Sequence, residues 1–436
     1  MDAEFQAALP SLEWYKMRGI ALTRGPESGN FGISAQWLGF VGILSESRHV
    51  GVVNGRVMAG RSGSDGQGVA GRVALVGCGF VADLYMRSLR LYPGVEVVAV
   101  HDRDAARQAA FAAHWGVPVA ESLDSLLARL RPGDVVLNLT NPASHGAVSR
   151  AVLEAGHHVW CEKPMVLDLA EARAIHDLAG ARGLLHLSAP ASVLGEAAQV
   201  MLAAVRRGVA GRVRLIHAEM EDGYIAQAPH HLWRSESGAP WPAADEFAVG
   251  CTLEHAGYVV AWLIAMFGPV RRVVAASAQV VPETGARAPD VSVGVLIFEG
   301  GEVARLSCSI VAPHDHRLRL IGDKGVLAVR EIWDNAAPVR FHRRFTLRRR
   351  LMEHPVGRRL RARGASHPKV ARWGAAAMNF ALGPVEMLAA LAEGRACRLS
   401  NAMALHLTEV VLAIHAGAGA QDMVTRCEAM EPAPWA

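Results

Sequence analysis

Hydrophobic and polar positions along the 436-residue chain follow two successive patterns. From Gly71 onward, short unbroken apolar runs alternate with stretches of helical period. Val73–Val76, Val95–Val100, Asp134–Leu139 and His158–Cys161 read as buried strands. Helices are expected between them, in a stretch ending near Leu91 and over 104–115, Ser122–Leu130 and Ala143–Ala155. Such alternation predicts right-handed βαβ units on a parallel sheet. Beyond residue 211 the runs become β-branched with polar turns between them: Arg212–Glu221, Val270–Val281, Val291–Glu299, Glu302–Ala312 and Arg317–Ile321. Glu299-Gly300-Gly301-Glu302 is a hairpin signal. An apolar helix opens at Gly250–Tyr258 and reaches Phe267, and amphipathic helices are expected over Ala375–Leu391 and Ser400–Gly417. The fold class is α/β.

Composition narrows the class. With 51% hydrophobic and 20% charged residues the chain is enzyme-like and globular rather than disordered. Its length points to two domains with appendages. Six dispersed cysteines suit reduced thiols in a cytoplasmic protein, and no apolar run is long enough to span a membrane. Residues 1–70, rich in Gly and Ser, read as a poorly ordered extension or linker, with Met58 as an alternative start; an arm packed on the body is the other reading. The net charge of +4 hides one cluster: residues 340–372 hold twelve Arg and Lys against the single acid Glu353. A solvated loop is the first reading of that run, and a phosphate contact for a nucleotide-linked sugar the second. Without interleaved aromatics it does not suggest nucleic acid.

The chemistry concentrates at predicted strand ends. Gly77-Cys78-Gly79-Phe80-Val81-Ala82 follows the first strand and opens a helix, as dinucleotide binding requires. Asp102, after the second strand, suits a ribose hydroxyl pair and would repel a 2′-phosphate, whereas Arg103 beside it suits one. NAD is therefore favoured, with NADP open. Thr140-Asn141-Pro142 and Cys161-Glu162-Lys163-Pro164 end the next strands, where ligands of parallel sheets sit. Lysines are rare here: Lys16, Lys163, Lys324 and Lys369 are the full set. An ammonium can give or take a proton where a guanidinium cannot, so Lys163 is the candidate proton-transfer group.

Gly77–Ala82, Asn141-Pro142-Ala143-Ser144-His145, Glu162-Lys163-Pro164, Gly208–Val213 and Gly322–Leu327 together resemble the glucose–fructose oxidoreductase/inositol dehydrogenase/rhizopine-catabolism (Gfo/Idh/MocA) family. The resemblance implies a Rossmann domain over 71–191 and an α/β domain with an open, mainly antiparallel sheet over 192–332 and 373–421, leaving 333–372 as a basic insertion. It further implies NAD(P), hydride transfer at a sugar or cyclitol carbon, a homodimer or homotetramer, and a Lys163–Pro164 peptide that can be cis. The cofactor set it implies is Gly77, Gly79, Phe80, Val81, Asp102, Arg103, Thr140, Asn141, Pro142, His145, Glu162, Lys163 and Pro164.

One motif departs from that family. Counting back from Gly268, Glu254 stands at the family's aspartate and Tyr258 at its histidine. On a regular helix Glu254 and Tyr258 share a face, with His255 turned about 100° away. Lys163, Tyr258 and Glu254 are therefore the expected catalytic set, with Lys163 lowering the tyrosine's pKa, although His255 could replace Tyr258. Asp222, Trp233 and His255 are candidate substrate contacts, within an excursion that also holds Glu219, Glu221, His230, His231 and Trp241. The pairs His157/His158, His230/His231 and His314/His316 lack a nearby Cys or carboxylate at ligand spacing, so no metal is expected. The expected activity is an NAD(P)-dependent oxidoreductase on a sugar, cyclitol or nucleotide-linked sugar. Its rivals are a non-catalytic dinucleotide- or sugar-sensing protein and a redox-cycling enzyme with no net NADH.

Overall fold

A computed structural model describes residues 68–282, 285, 287–372 and 374–436, so the expectation for the N-terminal extension lies almost wholly outside the described residues. The first sheet has five parallel strands in the order β2-β1-β3-β4-β5: β1 Gly71–Val76, β2 Val95–His101, β3 Val135–Asn138, β4 His158–Cys161 and β5 His186–Ser188. β3 and β4 are buried throughout, which explains their unbroken apolar runs. The crossovers carry helices α1 Phe80–Leu89, α2 Ala105–Trp115, α3 Leu123–Leu127, α4 His145–Glu154 and α5 Leu169–Ala181. The chain order reverses beside β1, between β2 and β3, and the glycine turn lies at that switch point.

Helix α6, Glu196–Arg206, leads into a ten-stranded sheet. Its strands are β6 Val213–Glu221, β7 Val270–Ala278, β8 Val291–Phe298, β9 Val303–Ser309, β10 Leu318–Gly322, β11 Gly325–Val329, β12 Arg340–Leu347, β13 Arg350–Glu353, β14 Arg358–Arg359 and β15 Gly419–Asp422. The order is β13-β12-β11-β10-β6-β9-β8-β7-β15, with β14 also on β12. Only β6 and β9 pair in parallel, so the sheet is mainly antiparallel, as expected. One face carries α8 Gly257–Phe267 and α10 Asn401–Ala416. Every residue of α8 from Tyr258 to Met266 is buried, which accounts for a helix with no polar stripe. Among the described residues the other face is uncovered, and Leu215, Val274 and Val293 stand exposed on it. Among the described residues no single helix is long and apolar enough to cross a membrane, and all six cysteines are free thiols.

Two segments differ from their sequence reading. The basic run is not a solvated loop. Its first half forms β12, β13 and β14, which extend the large sheet beyond β11. Dense arginine masks the strand period there, because most of these side chains face solvent. The expected helix over Ala375–Leu391 begins later, as α9 Leu382–Glu393, preceded by a single 3-10 turn.

Between β6 and α8 the chain makes an excursion through the short helix α7, Ala243–Val249. It reaches back to the first domain: Ser237 donates its backbone N–H and hydroxyl to Asp83 of α1, and Arg87 donates to Glu236 at 2.8 Å. This strap brings α7 over the ends of the parallel strands. Helix α10 ties the domains at another point, where the Asn401 side chain bonds Leu184 and His186 beside β5.

Candidate active site

Gly77 turns the chain at φ +99°, and a Cβ there would lie 2.4 Å from the Leu139 carbonyl oxygen. Gly79, at the N-cap of the ten-residue helix α1, has no side-chain capping bond, and a Cβ on it would meet open space. Half-buried Phe80 and Val81 begin the helix. Unpaired N-terminal amides facing open space fit a pyrophosphate. Asp102 is buried beside this turn. Its Oδ2 accepts the Cys78 N–H at 2.8 Å, its Oδ1 accepts the Asp104 N–H at 2.8 Å, and Gln108 holds its own amide at 2.7 Å. The α2 cap is Asp104, which leaves Asp102 free of that duty. Arg103 is exposed.

The ends of β3 and β4 are knit together by His145. Its Nδ1 lies 2.7 Å from the Pro164 carbonyl and its Nε2 lies 2.9 Å from that of Thr140. The ring thus spans the Thr140-Asn141-Pro142 loop and the cis Lys163–Pro164 peptide. Glu162 is buried in a hydrogen-bond network of the first domain. It accepts from Tyr85 Oη at 2.6 Å and from the Lys163 amide at 3.0 Å, while Tyr85 accepts from Trp160. Burial raises the carboxyl's pKa against the pull of Lys163 and Tyr85.

Lys163 itself extends towards the second domain and pairs with Glu254. Burial alone would lower its pKa, but Glu254, Glu246 of α7, Tyr258 and Glu162 together hold it well above the usual lysine range. Glu254 is raised in turn, first by burial and then by Glu246, which bonds it, against the opposing pull of Lys163. An ammonium therefore faces two carboxyls that can share a proton. Tyr258 feels the Lys163 charge, yet burial outweighs it and leaves the phenol's pKa raised, not lowered as expected.

The backbone explains why a third side chain joins them. Thr252–Ala256 forms a π-helical turn before α8. A π turn resets the helical phase and is common at functional sites. His255 is consequently not turned away: its ring and that of Tyr258 both lie on the indole of Trp333, at 6.0 and 5.3 Å between centroids.

Two profiles match this chain in succession. One, described as "Oxidoreductase family, NAD-binding Rossmann fold", covers residues 71–188, and the other, "GFO/IDH/MocA C-terminal domain", covers 198–328. The chain belongs to the Gfo/Idh/MocA oxidoreductase family. It is an NAD(P)-dependent oxidoreductase. Trans-1,2-dihydrobenzene-1,2-diol dehydrogenase from Bos taurus is 27% identical over 257 residues, covering 58% of this chain and 72% of its own. Levoglucosan dehydrogenase, solved in complex with NADH, superposes with a TM-score of 0.68 at 17% identity, over 82% of this chain and 100% of its own. UDP-N-acetylglucosamine 3-dehydrogenase from Acidithiobacillus ferrooxidans gives 0.59 at 19% identity, over 79% and 97%.

Within this Gfo/Idh/MocA chain the candidate substrate residues separate. Asp222, just past β6, lies 3.2 Å from His255 Nε2 and so reaches the pocket. Trp233 packs edge-on against Trp241 at 5.3 Å, in an aromatic cluster with His230 and Phe247 that stiffens the excursion. Glu219 lies on the uncovered sheet face, paired with Arg305, and Glu221 accepts from Ser307 and Ser309. The sequence reading missed Glu246 and Trp333, which no motif flags. It also missed the grouping of Asp222 with His314 and His316, whose nitrogens lie 3.8 and 3.9 Å from its Oδ1. That carboxylate is remote in sequence, so a search of local spacing could not find it. The two carboxylates Asp222 and Glu331 push His314 up to about 9.

Proposed function

We propose that this oxidoreductase dehydrogenates a ring carbinol of a cyclic polyol or sugar, free or nucleotide-linked, with NAD as the preferred cofactor. NAD(P), when bound, accepts or supplies the hydride. The observation that carries the reading is the Lys163 ammonium, set at the end of β4 and paired with Glu254 in front of the glycine turn. Gly77, Gly79 and the α1 amides would hold the pyrophosphate, and Asp102 the adenosine ribose. In the oxidative direction Lys163 takes the hydroxyl proton as it passes one of its own to Glu254. The raised pKa of that carboxyl, sustained by Glu246, lets it keep the proton. In reduction the transfer reverses, and the ammonium stabilises the developing alkoxide. The neutral Tyr258 phenol orients the reacting oxygen.

The names of relatives support a cyclic alcohol: a dihydrodiol, levoglucosan and UDP-N-acetylglucosamine. The buried carboxylate of Asp102 supports NAD over NADP. The uncovered sheet face, with Leu215, Val274 and Val293 exposed, supports a homodimer or homotetramer.

The test is to identify the nucleotide that co-purifies with the chain by mass spectrometry. The same preparation is then screened against dihydrodiols, cyclitols, sugars and nucleotide sugars at the absorbance of reduced nicotinamide. The reading expects NAD(H) in the protein and turnover with at least one polyol. Neither a bound nicotinamide nucleotide nor reduction of added NAD or NADP by any member of the panel would overturn it.

A further inference from the structure

Beside the Lys163 pocket, three segments far apart in sequence converge on one small volume. Asp222 follows β6, His314 and His316 lie in the β9–β10 connection, and Glu331 follows β11. Glu331 accepts from both imidazoles, with Oε2 at 2.8 Å from His314 Nε2 and Oε1 at 3.0 Å from His316 Nδ1. Its carboxylate is further fixed by the Trp333 amide, which donates to Oε1 at 3.0 Å.

These bonds set the orientation of both rings. With His314 Nε2–H and His316 Nδ1–H facing Glu331, a cation that displaces the proton of His314 Nδ1 would meet His314 Nδ1 and His316 Nε2 beside Asp222. His316 is 0% exposed, and its Nε2 has no hydrogen-bond partner. The separations of 3.8 and 3.9 Å from Asp222 Oδ1 are too long for hydrogen bonds. Asp222 and the unpartnered Nε2 of buried His316 thus face the exposed His314 across a gap that a cation would fill.

We propose that Asp222, His314 and His316 bind a divalent transition-metal ion of the Zn²⁺ class. One ligand atom from each lies within 4.8 Å of the others. Tetrahedral coordination at about 2.1 Å requires ligand atoms about 3.4 Å apart, so the gaps from Asp222 to the two imidazoles close by about half an ångström, and the gap between the imidazoles by up to about 1.4 Å. Two imidazoles and one carboxylate are a ligand set suited to zinc, cobalt, nickel and iron, and leave coordination positions open. Glu331 supplies the outer carboxylate that metal-bound histidines commonly require. On the far side His255 Nε2, 3.2 Å from Asp222 Oδ2, holds the ligating carboxylate in place.

The site adjoins the chemistry. The Trp333 indole contacts His316 at 4.2 Å as well as His255 and Tyr258, so one wall serves both. A cation there would offer a second anchor for a substrate oxygen while the reacting carbinol sits at Lys163. Metal uptake does not depend on the dehydrogenase reading and is measured separately from it.

The experiment uses the full chain, stripped with chelator and dialysed against Zn²⁺, with Co²⁺ as the spectroscopic probe. The expected result is one Zn²⁺ per chain by elemental analysis, a Co²⁺ visible spectrum that Zn²⁺ abolishes, and a melting temperature raised by Zn²⁺. Asp222→Asn and His316→Ala should each weaken Zn²⁺ affinity by at least about 100-fold, and Glu331→Gln by roughly 10- to 100-fold. If a ligand variant does not fold, the Co²⁺ spectrum of the wild-type chain still decides. Absence of stoichiometric uptake by the wild type overturns the proposal, and the cluster then holds a proton on His314 between its two carboxylates. Uptake that is the same in folded Asp222→Asn and His316→Ala overturns it equally, by placing the metal elsewhere.

Discussion

Lys163 meets carboxyls from two directions: Glu162 from behind, through its own backbone amide, and Glu254 with Glu246 in front. Only the front pair can exchange a proton with it. Lys163→Met should therefore lower kcat by roughly 10²–10⁴ while leaving nucleotide affinity within a few-fold, as single-turnover kinetics and NAD titration would show. Lys163→Arg should fail nearly as badly, because a guanidinium does not release its proton in this range. A variant of either kind with wild-type kcat would remove Lys163 from the chemistry. Asp102→Asn keeps an acceptor for the Cys78 amide but discards the charge. It should shift the NAD-to-NADP preference by about 10-fold towards NADP, on the order of 1.4 kcal/mol; an unchanged ratio would mean that the charge does not select the cofactor. Lys163, Glu254 and Asp102 were legible because each sits in a local motif. Glu246 and Trp333 were not, since their importance comes only from what the folded chain sets beside them.

At the scale of elements, the glycine turn separates two functions that the motif merges. Gly77 is required by the fold, for any side chain there meets the Leu139 carbonyl at a positive φ. Gly79 is not, because its Cβ would enter open space. Gly77→Ala should cost at least about 2 kcal/mol of stability. Gly79→Ala should leave the melting temperature nearly unchanged yet raise the Kd for NAD at least about 10-fold, by filling the approach to the helix amides. Equal losses of stability in the two variants would refute this division. The parallel strands and their helices were readable from apolar runs and turn chemistry. The π turn was not: hydrophobic period reports a regular helix, and one extra residue in a turn leaves that period too little changed to see. The same limit hid β12–β14, whose arginines face water and erase the alternation that marks a strand.

Over the whole molecule, the two-domain order followed from the change in strand pattern near residue 212, but the ties between domains did not. Asp83–Ser237 and Asn401–His186 join residues far apart in the chain. Helix α10 also carries a pH-sensitive joint. Buried His406 accepts the Val270 N–H at 2.9 Å through Nε2, and burial pushes its pKa down from 6.5 to about 4, against the opposite pull of Glu409. The unfolded ring takes up a proton near 6.5 and the folded ring only near 4, so the unfolded state binds more protons in this window. Stability should fall as pH drops from 6.5 to 4, by on the order of 3 kcal/mol from this residue. His406→Gln should flatten that part of the melting-temperature profile between pH 4 and 7. An unchanged slope would show that the ring titrates alike in both states.

Among the described residues the large sheet remains open, and an open sheet has two edges with unpaired amides and carbonyls. At one end β15 spans only Gly419–Asp422, too short to template much pairing. At the other end lie β13 and β14, where Leu347, Leu351 and Met352 are exposed and would otherwise invite another strand. Arg348, Arg349, Arg350, Arg358 and Arg359 crowd the same border. A second copy arriving edge to edge would set guanidinium against guanidinium, and that repulsion opposes runaway strand addition while leaving the flat face available to a partner.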